Sequence, residues 1–261
     1  MMQPWHEAIR PMRRIGHSIE AHATIDSTND RARTLLDQDG LDGGVVVAEE
    51  QTAGRGRRGR TWLSPPGLNL MVSVALRPML PARDAWQLGL ATALATASAC
   101  RSVAQVDLKW PNDVVAADGS KLAGLLIESM ADGERLTGAV LGIGINVNWT
   151  RDEMPAEIAS QATSLADVSG SRVDRVALLG RLLEQLDLEI AFVEAGESPL
   201  ERYRAACTTL GTIVTVVTPD GPVRGRAVDL DGTGALMVEA ADGHHVIASG
   251  EVVKVWPGVP A

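Results

Sequence analysis

Lysine is nearly missing from this chain of 261 residues: Lys109, Lys121 and Lys254 stand against 21 arginines. Two of the three lie close together in sequence, and a lysine offers a compact ammonium where arginine offers a planar fork. Chance is the bland explanation until the neighbourhood of Lys109 and Lys121 is considered. Cysteine is as scarce. Cys100 and Cys207 are far apart and form neither a CxxC pair nor a zinc-type spacing, so a reduced, cytoplasmic setting is the simplest reading. No apolar run approaches the roughly 20 residues that span a bilayer. The opening segment MMQPWHEAIRPMRRIGHSIE has no apolar core of the secretory kind. Basic charge is not in excess either. The formal net charge is −9, against the basic face expected of a nucleic-acid binder, and only one short, glycine-rich stretch is strongly basic.

What is present suffices for a packed fold: 45% of residues are hydrophobic and 22% charged, in a length that accommodates a domain of about 200 residues and a small second one. His17–Ile25 reads as a strand, Asp26–Asn29 as helix-capping residues ahead of a helix over 30–38, stopped at Asp39–Gly40, and Val45–Glu49 as a buried strand. Gln51–Gly67 fits no regular element. Leu68–Leu76 resumes a strand and Arg83–Val103 a long helix, its Leu88–Cys100 part Ala- and Thr-rich and read as buried. Val106–Lys109 is a strand, Val114–Ala116 and Lys121–Ser129 a hairpin about Asp118-Gly119, and Leu136–Val147 a further strand. Val173–Val193 carries apolar residues at helical spacing, and Leu200–Cys207 is a short last helix. After Leu210 five short strands alternate with Pro-Asp-Gly and Asp-Gly turns, the pattern of a small β-barrel. The expected division is therefore 1–208 and 209–261.

Three stretches carry chemistry. In Gly54-Arg55-Gly56-Arg57-Arg58-Gly59-Arg60 the glycines let the backbone approach a ligand and the arginines grip phosphate or carboxylate. A solvated basic loop and an RNA contact are the competing readings. Four guanidiniums so close should repel, so the loop is expected to be poorly ordered until an anion binds. Lys109-Trp110-Pro111-Asn112-Asp113 ends a strand with a cation, an amide and a carboxylate, and Lys121-Leu122-Ala123-Gly124 opens the returning strand. Asn and Asp oxygens suit Mg²⁺, although Pro-Asn-Asp is also ordinary turn chemistry. Gly142-Ile143-Gly144-Ile145-Asn146-Val147-Asn148 places glycines within a strand, which signals the close approach of a ligand or simply of a neighbouring backbone. No histidine lies near any of these motifs.

Taken in order, Asp26-Ser27-Thr28-Asn29, the block Glu50–Trp62, Lys109–Asp113 with Lys121–Gly124, and Gly142–Asn148 resemble the biotin–protein ligase family across its catalytic domain. The resemblance implies an α+β fold: a class II aminoacyl-tRNA-synthetase-like domain with a C-terminal SH3-like barrel. It implies that biotin and ATP form biotinyl-5′-AMP and pyrophosphate, with Mg²⁺ brought by ATP, and that a lysine of a biotin carboxyl carrier protein or domain of acetyl-CoA or another biotin-dependent carboxylase then takes the biotin. By match to the motifs, Ser27, Thr28, Asn29, Gln51, Gly54, Arg55, Gly56, Arg57, Lys121 and Gly124 would hold biotin. Arg57, Arg60, Trp62, Asn112, Asp113, Lys121 and Asn146 would hold the nucleotide, with Asn148 of lower rank. Lys121 and Arg57 would act on the reacting anions, and Asp113 is a possible base towards the incoming amine. Only 26 residues precede Ser27, too few for the winged helix of repressor members, so no DNA binding is expected. A monomer or weak homodimer is expected, and an edge strand of the central sheet could pair with a second subunit or with the acceptor. Two other classes stay open: a lipoate or octanoate transferase of the same fold, and a non-enzymatic nucleic-acid-binding or biotin-sensing module.

Overall fold

The strand readings with no polar face become the middle of a sheet. The computed structural model describes residues 3–9, 14–38 and 41–256. In it β2 (Val45–Ala48) and β3 (Leu70–Leu76) are buried at every position, as strands covered on both faces must be. Around them run β1 (Ile19–His22), β4 (Val106–Lys109), β5 (Asp113–Ala116), β6 (Lys121–Asp132) and β7 (Arg135–Ile145). These seven form one sheet in the order β1-β2-β3-β7-β6-β5-β4, in which only the β1–β2 pair is parallel.

Helix α1 (Thr28–Leu35) covers one face. Its Ala32 and Leu35 pack on Val46, Ala75 and Val140. The opposite face takes α2 (Trp86–Arg101) and α5 (Arg175–Glu194), whose apolar sides meet in the main core. The Ala- and Thr-rich stretch of α2 is almost wholly buried, as its composition predicts. Two short helices escape the sequence reading, α3 (Ala156–Ala159) and α4 (Leu165–Ser169), as does a 3₁₀ turn at Trp5–Ala8. Each is too short to show a period. The helix after β1 starts at Thr28 rather than Asp30, and the Asp39–Gly40 stop lies outside the described residues.

After α6 (Leu200–Ala206) come β8 (Ile213–Thr218), β9 (Gly221–Leu230), β10 (Leu236–Ala240), β11 (Gly243–Ile247) and β12 (Glu251–Trp256). They form an antiparallel sheet in the order β11-β10-β9-β8-β12. Its inner side chains, Val214, Leu230, Leu236 and Val238 among them, belong to the same apolar core as the large sheet. Polar bonds join the two sheets: Thr208 N donates to Leu108 O, Trp110 N to Thr209 Oγ1, and Trp110 Nε1 to Gly234 O at 3.1 Å. The chain is thus α+β with a C-terminal antiparallel unit. Among the described residues no helix is long and apolar enough to cross a membrane.

Candidate active site

Strand pairing brings the separate motifs to one face. In register, Met71 and Ser73 of β3 lie opposite Gly144 and Gly142 of β7, which lie opposite Gly124 and Leu126 of β6. All six side-chain positions face the α1 side, and all but Ser73 line a cleft whose empty space, counted with the open solvent at its mouth, is ≈ 490 Å³. The glycines are needed for room. A Cβ on Gly142 would sit 2.1 Å from Asn29 Oδ1, one on Gly144 2.5 Å from Trp62 Cε2, and one on Gly124 2.9 Å from Trp62 Cζ3 and 3.0 Å from Lys121 Nζ. The close approach read from the sequence is therefore made by side chains of this chain.

One side of the cavity is lined by the uncharged polar residues Ser27, Thr28, Asn29 and Gln51, the first three buried. Ser27 is the residue before α1, yet its hydroxyl makes no capping bond and faces the cavity. Thr28 N and Oγ1 both donate to Gln51 Oε1, at 2.7 and 3.0 Å. Ser73 Oγ lies 2.8 Å from Thr28 Oγ1 and 2.6 Å from Asn29 Oδ1, and Asn29 Nδ2 donates to Glu128 Oε2 at 2.8 Å. Such a connected buried network fixes its members' orientations. Neither Ser73 nor Glu128 is marked as a site residue in the sequence. Nothing local marks a serine within an apolar strand, or a glutamate on a half-exposed one; only the register β3–β7–β6 brings them to Asn29.

The mouth is cationic. Lys121 Nζ is 2.7 Å from Asp113 Oδ1 and stands 5.7 Å from the centroid of the Trp62 ring. Trp62 Nε1 is itself buried with no acceptor among the described residues. Arg57 Nη1 donates to Asn112 Oδ1 at 3.3 Å, and Asn112 Nδ2 to Leu125 O. Burial, and then the neighbouring charge of Arg58, lower the Arg57 pKa from its ordinary value, with Asp113 acting in the opposite sense. A cation taken partly out of water beside a second cation is a place where an anion gains most.

The loop over this mouth is folded. Arg55 Nη2 meets Asp30 at 2.5 Å and Glu128 at 3.4 Å. Arg58, the one described non-glycine residue with positive φ (56°), donates to Val217 O at 2.8 Å. Arg60 Nη1 meets Glu251 at 2.5 Å. Val217 and Glu251 are cross-strand partners of β8 and β12, so both outer arginines clip onto one pair of the C-terminal sheet. Carboxylates from α1, β6 and β12 thus offset the charges of Arg55 and Arg60, while Arg57 and Arg58 bond to an amide and a carbonyl and still repel each other.

Of the residues expected at the site, Ser27, Thr28, Asn29, Gln51, Arg55, Gly56, Arg57, Trp62, Asn112, Lys121 and Gly124 line the cavity. Gly54, Arg60, Asp113 and Asn146 do not. Gly54 opens the loop against its far side, where a Cβ would be 2.6 Å from Trp62 O. Asp113 stands behind Lys121. Asn146 is buried just past β7, where its carbonyl accepts from Leu165 N. The lower-ranked Asn148 spends its side chain on both backbone groups of Val173. No cluster of three or more His, Cys, Asp or Glu occurs among the described residues.

The Biotin/lipoate A/B protein ligase family matches residues 21–146, and the Biotin protein ligase C terminal domain matches residues 209–255. The chain is 37% identical over 223 residues to a biotin–[acetyl-CoA-carboxylase] ligase of Mycobacterium tuberculosis, covering 82% of this chain and 80% of that one. It is 35% identical over 238 residues to the protein of the same name from Paracoccus denitrificans, covering 88% and 98%. The biotin protein ligase of Aquifex aeolicus, solved in complex with biotin and ATP, superposes with a TM-score of 0.75 at 30% identity over 90% of this chain and 97% of that one.

Proposed function

This chain belongs to the biotin/lipoate A/B protein ligase family, and from that premise we propose how its cavity divides the work of a biotin–protein ligase. The reaction is ATP-dependent activation of biotin, followed by transfer to a lysine of the biotin carrier of a carboxylase. The observation that carries the assignment of residues is the grouping of the cavity's polar side chains: Ser27, Thr28, Asn29 and Gln51 in one hydrogen-bonding group, and the cations Arg57 and Lys121, held by Asn112 and Asp113, in another.

A ureido head both donates and accepts, and Ser27, Thr28, Asn29 and Gln51 offer partners of both kinds. Biotin's valeryl chain lies over the glycine floor, Gly142, Gly144 and Gly124, under Arg55 and Gly56 of the loop; Gly54 permits the loop's close turn against Trp62. The carboxylate then reaches Arg57 and Lys121. In the first step a carboxylate oxygen attacks the α-phosphorus and the bond to pyrophosphate breaks. Two anions must meet, and Lys121 and Arg57 offset their repulsion where water is scarce. Asp113 holds the Lys121 ammonium in place, and Asn112 does the same for Arg57. Asp113 could serve as base towards the acceptor amine only by giving up that ammonium, so its first role is positioning. Trp62, with its unused Nε1–H, Arg60 and Asn146 form the nucleotide side. Mg²⁺, where present, enters with the phosphates of ATP, as is usual for that ion. In the second step the acceptor amine attacks the acyl carbon, the anhydride bond to AMP breaks, and the closed loop keeps water from doing the same.

Residues 1–208 form the catalytic unit and 209–261 the C-terminal β-unit. The partner is a biotin carboxyl carrier domain, the setting is cytoplasmic, and the chain is a monomer or weak homodimer. Pyrophosphate release measured with biotin, lipoate and octanoate side by side tests the reading: biotin alone should support turnover. Release with lipoate or octanoate but not biotin would move the chain to the acyltransferase class. Lys121→Ala should slow adenylate formation about a hundredfold, the equivalent of ~3 kcal/mol of transition-state stabilisation; an undiminished single-turnover rate would remove Lys121 from this role.

A further inference from the structure

Arg175 is a buried guanidinium in an unfavourable place. It is the first residue of α5, where the helix dipole disfavours a cation, and the helix end is already capped by Asp174. Its side chain is 3% exposed and its carboxylate partner, Glu49, 8%. Burying such a pair costs desolvation that apolar residues of like volume would avoid. What it touches accounts for its presence.

Arg175 Nη1 lies 2.8 Å from Glu49 Oε2 and donates to Asn69 O at 2.9 Å. Glu49 follows β2 and Asn69 precedes β3, so one nitrogen holds both roots of the glycine–arginine loop, the first by charge alone and the second by a hydrogen bond. Between them Gly67 N donates to Glu49 O at 3.1 Å and closes the neck. Asn69 Oδ1 accepts from Val147 N, the residue after Asn146, which ties the nucleotide side to the same point. The first residues complete the cage: the Trp5 ring covers the guanidinium at 5.1 Å, and Gln3 N donates to Glu49 Oε1 at 3.1 Å.

We propose that Arg175 is a positioning residue for the glycine–arginine loop: with Glu49 and Trp5 it clamps the loop's neck and sets its closure over the biotin pocket. The proposal rests on the reading that this loop closes over biotin. It makes the N-terminal turn part of the active-site support, so a change in residues 3–8 is felt in the loop.

The test is amide hydrogen exchange of residues 51–67, referred to α2, in the double variant Arg175→Met/Glu49→Gln, which replaces the ion pair by neutral groups of similar size. The clamp predicts loop exchange about tenfold faster with α2 exchange unchanged, and a biotin KM raised about tenfold with kcat altered less than about twofold. A pair that only stabilises the fold predicts loop and α2 rising together, or neither. A folded variant with wild-type loop exchange therefore overturns the proposal. Trp5→Leu keeps the pair and removes its cover. It should speed loop exchange about threefold, and it decides the matter alone if the double variant does not fold: unchanged exchange overturns the clamp. Exchange is read on the protein alone, so it still decides the clamp if the wild-type chain releases no pyrophosphate with biotin, a result that would sink only the functional reading.

Discussion

Gly142 and Gly144 have ordinary strand conformations, so their value lies in the atom they omit. The gap above Gly142 is filled by Asn29 Oδ1, and that above Gly144 by the Trp62 indole. Gly142→Ala forces Asn29 off its bonds with Ser73 and Glu128, an overpacking effect of about 1–3 kcal/mol. The expected outcome is a biotin affinity at least about tenfold weaker, with a melting temperature only a few degrees lower. Isothermal titration alongside thermal unfolding separates the two, and unaltered biotin affinity would show that Asn29 has no part in binding. The sequence made the absence of side chains visible but not what fills their space. Glycine in a strand says that something comes close; that Gly124 lies beside Gly144, and that Trp62 spans both, depends on a register between strands far apart in the chain. Ser73 was illegible for the same reason.

The loop of residues 54–60 shows the limit of local charge counting. Its four guanidiniums are close in sequence, and on their own they repel. The counterions of two of them, Asp30 and Glu128 for Arg55 and Glu251 for Arg60, belong to three elements that no window around the loop contains. These pairs are partly exposed and each is worth less than about 1 kcal/mol. Raising salt from about 0.01 to about 1 M shortens the screening length from about 30 to about 3 Å. Amide exchange in the loop should then accelerate several-fold while that of α2 stays constant; loop exchange indifferent to salt would mean that these pairs do not hold it. Elements whose signal is local were readable: Val106–Lys109 is a strand to the residue, and the apolar period of the long last helix places α5 within two residues. The four-residue α3 and five-residue α4 carry no period to read, and contacts made elsewhere fix them.

Across the molecule the two sheets share one apolar core, crossed by the bond from Trp110 Nε1 to Gly234 O. An interface of that kind couples the units. Calorimetry should therefore show a single transition with equal van't Hoff and calorimetric enthalpies. Two resolved peaks would mean that residues 209–256 melt on their own and that the clip of Arg58 and Arg60 onto β8 and β12 spans independent bodies. The change of pattern after Leu210 was plain in the sequence, with turns at even spacing; the shared core was not, because each strand alone looks complete.

That clip also has an order in time. Arg58 and Arg60 leave the ribosome long before Val217 and Glu251, the pair that receives them. At about 5–20 residues per second the wait is on the order of 10–40 s. In the last part of that interval, once Gly144 and Arg175 have been made, the nascent chain has the residues of the candidate pocket and of the loop's root but not yet every anchor for the loop's tip. Arg58 can be fastened once β8 is made, but Arg60 waits for the last strand, so an abortive product ending before β12 lacks the second fastening even if every residue lining the pocket has been made.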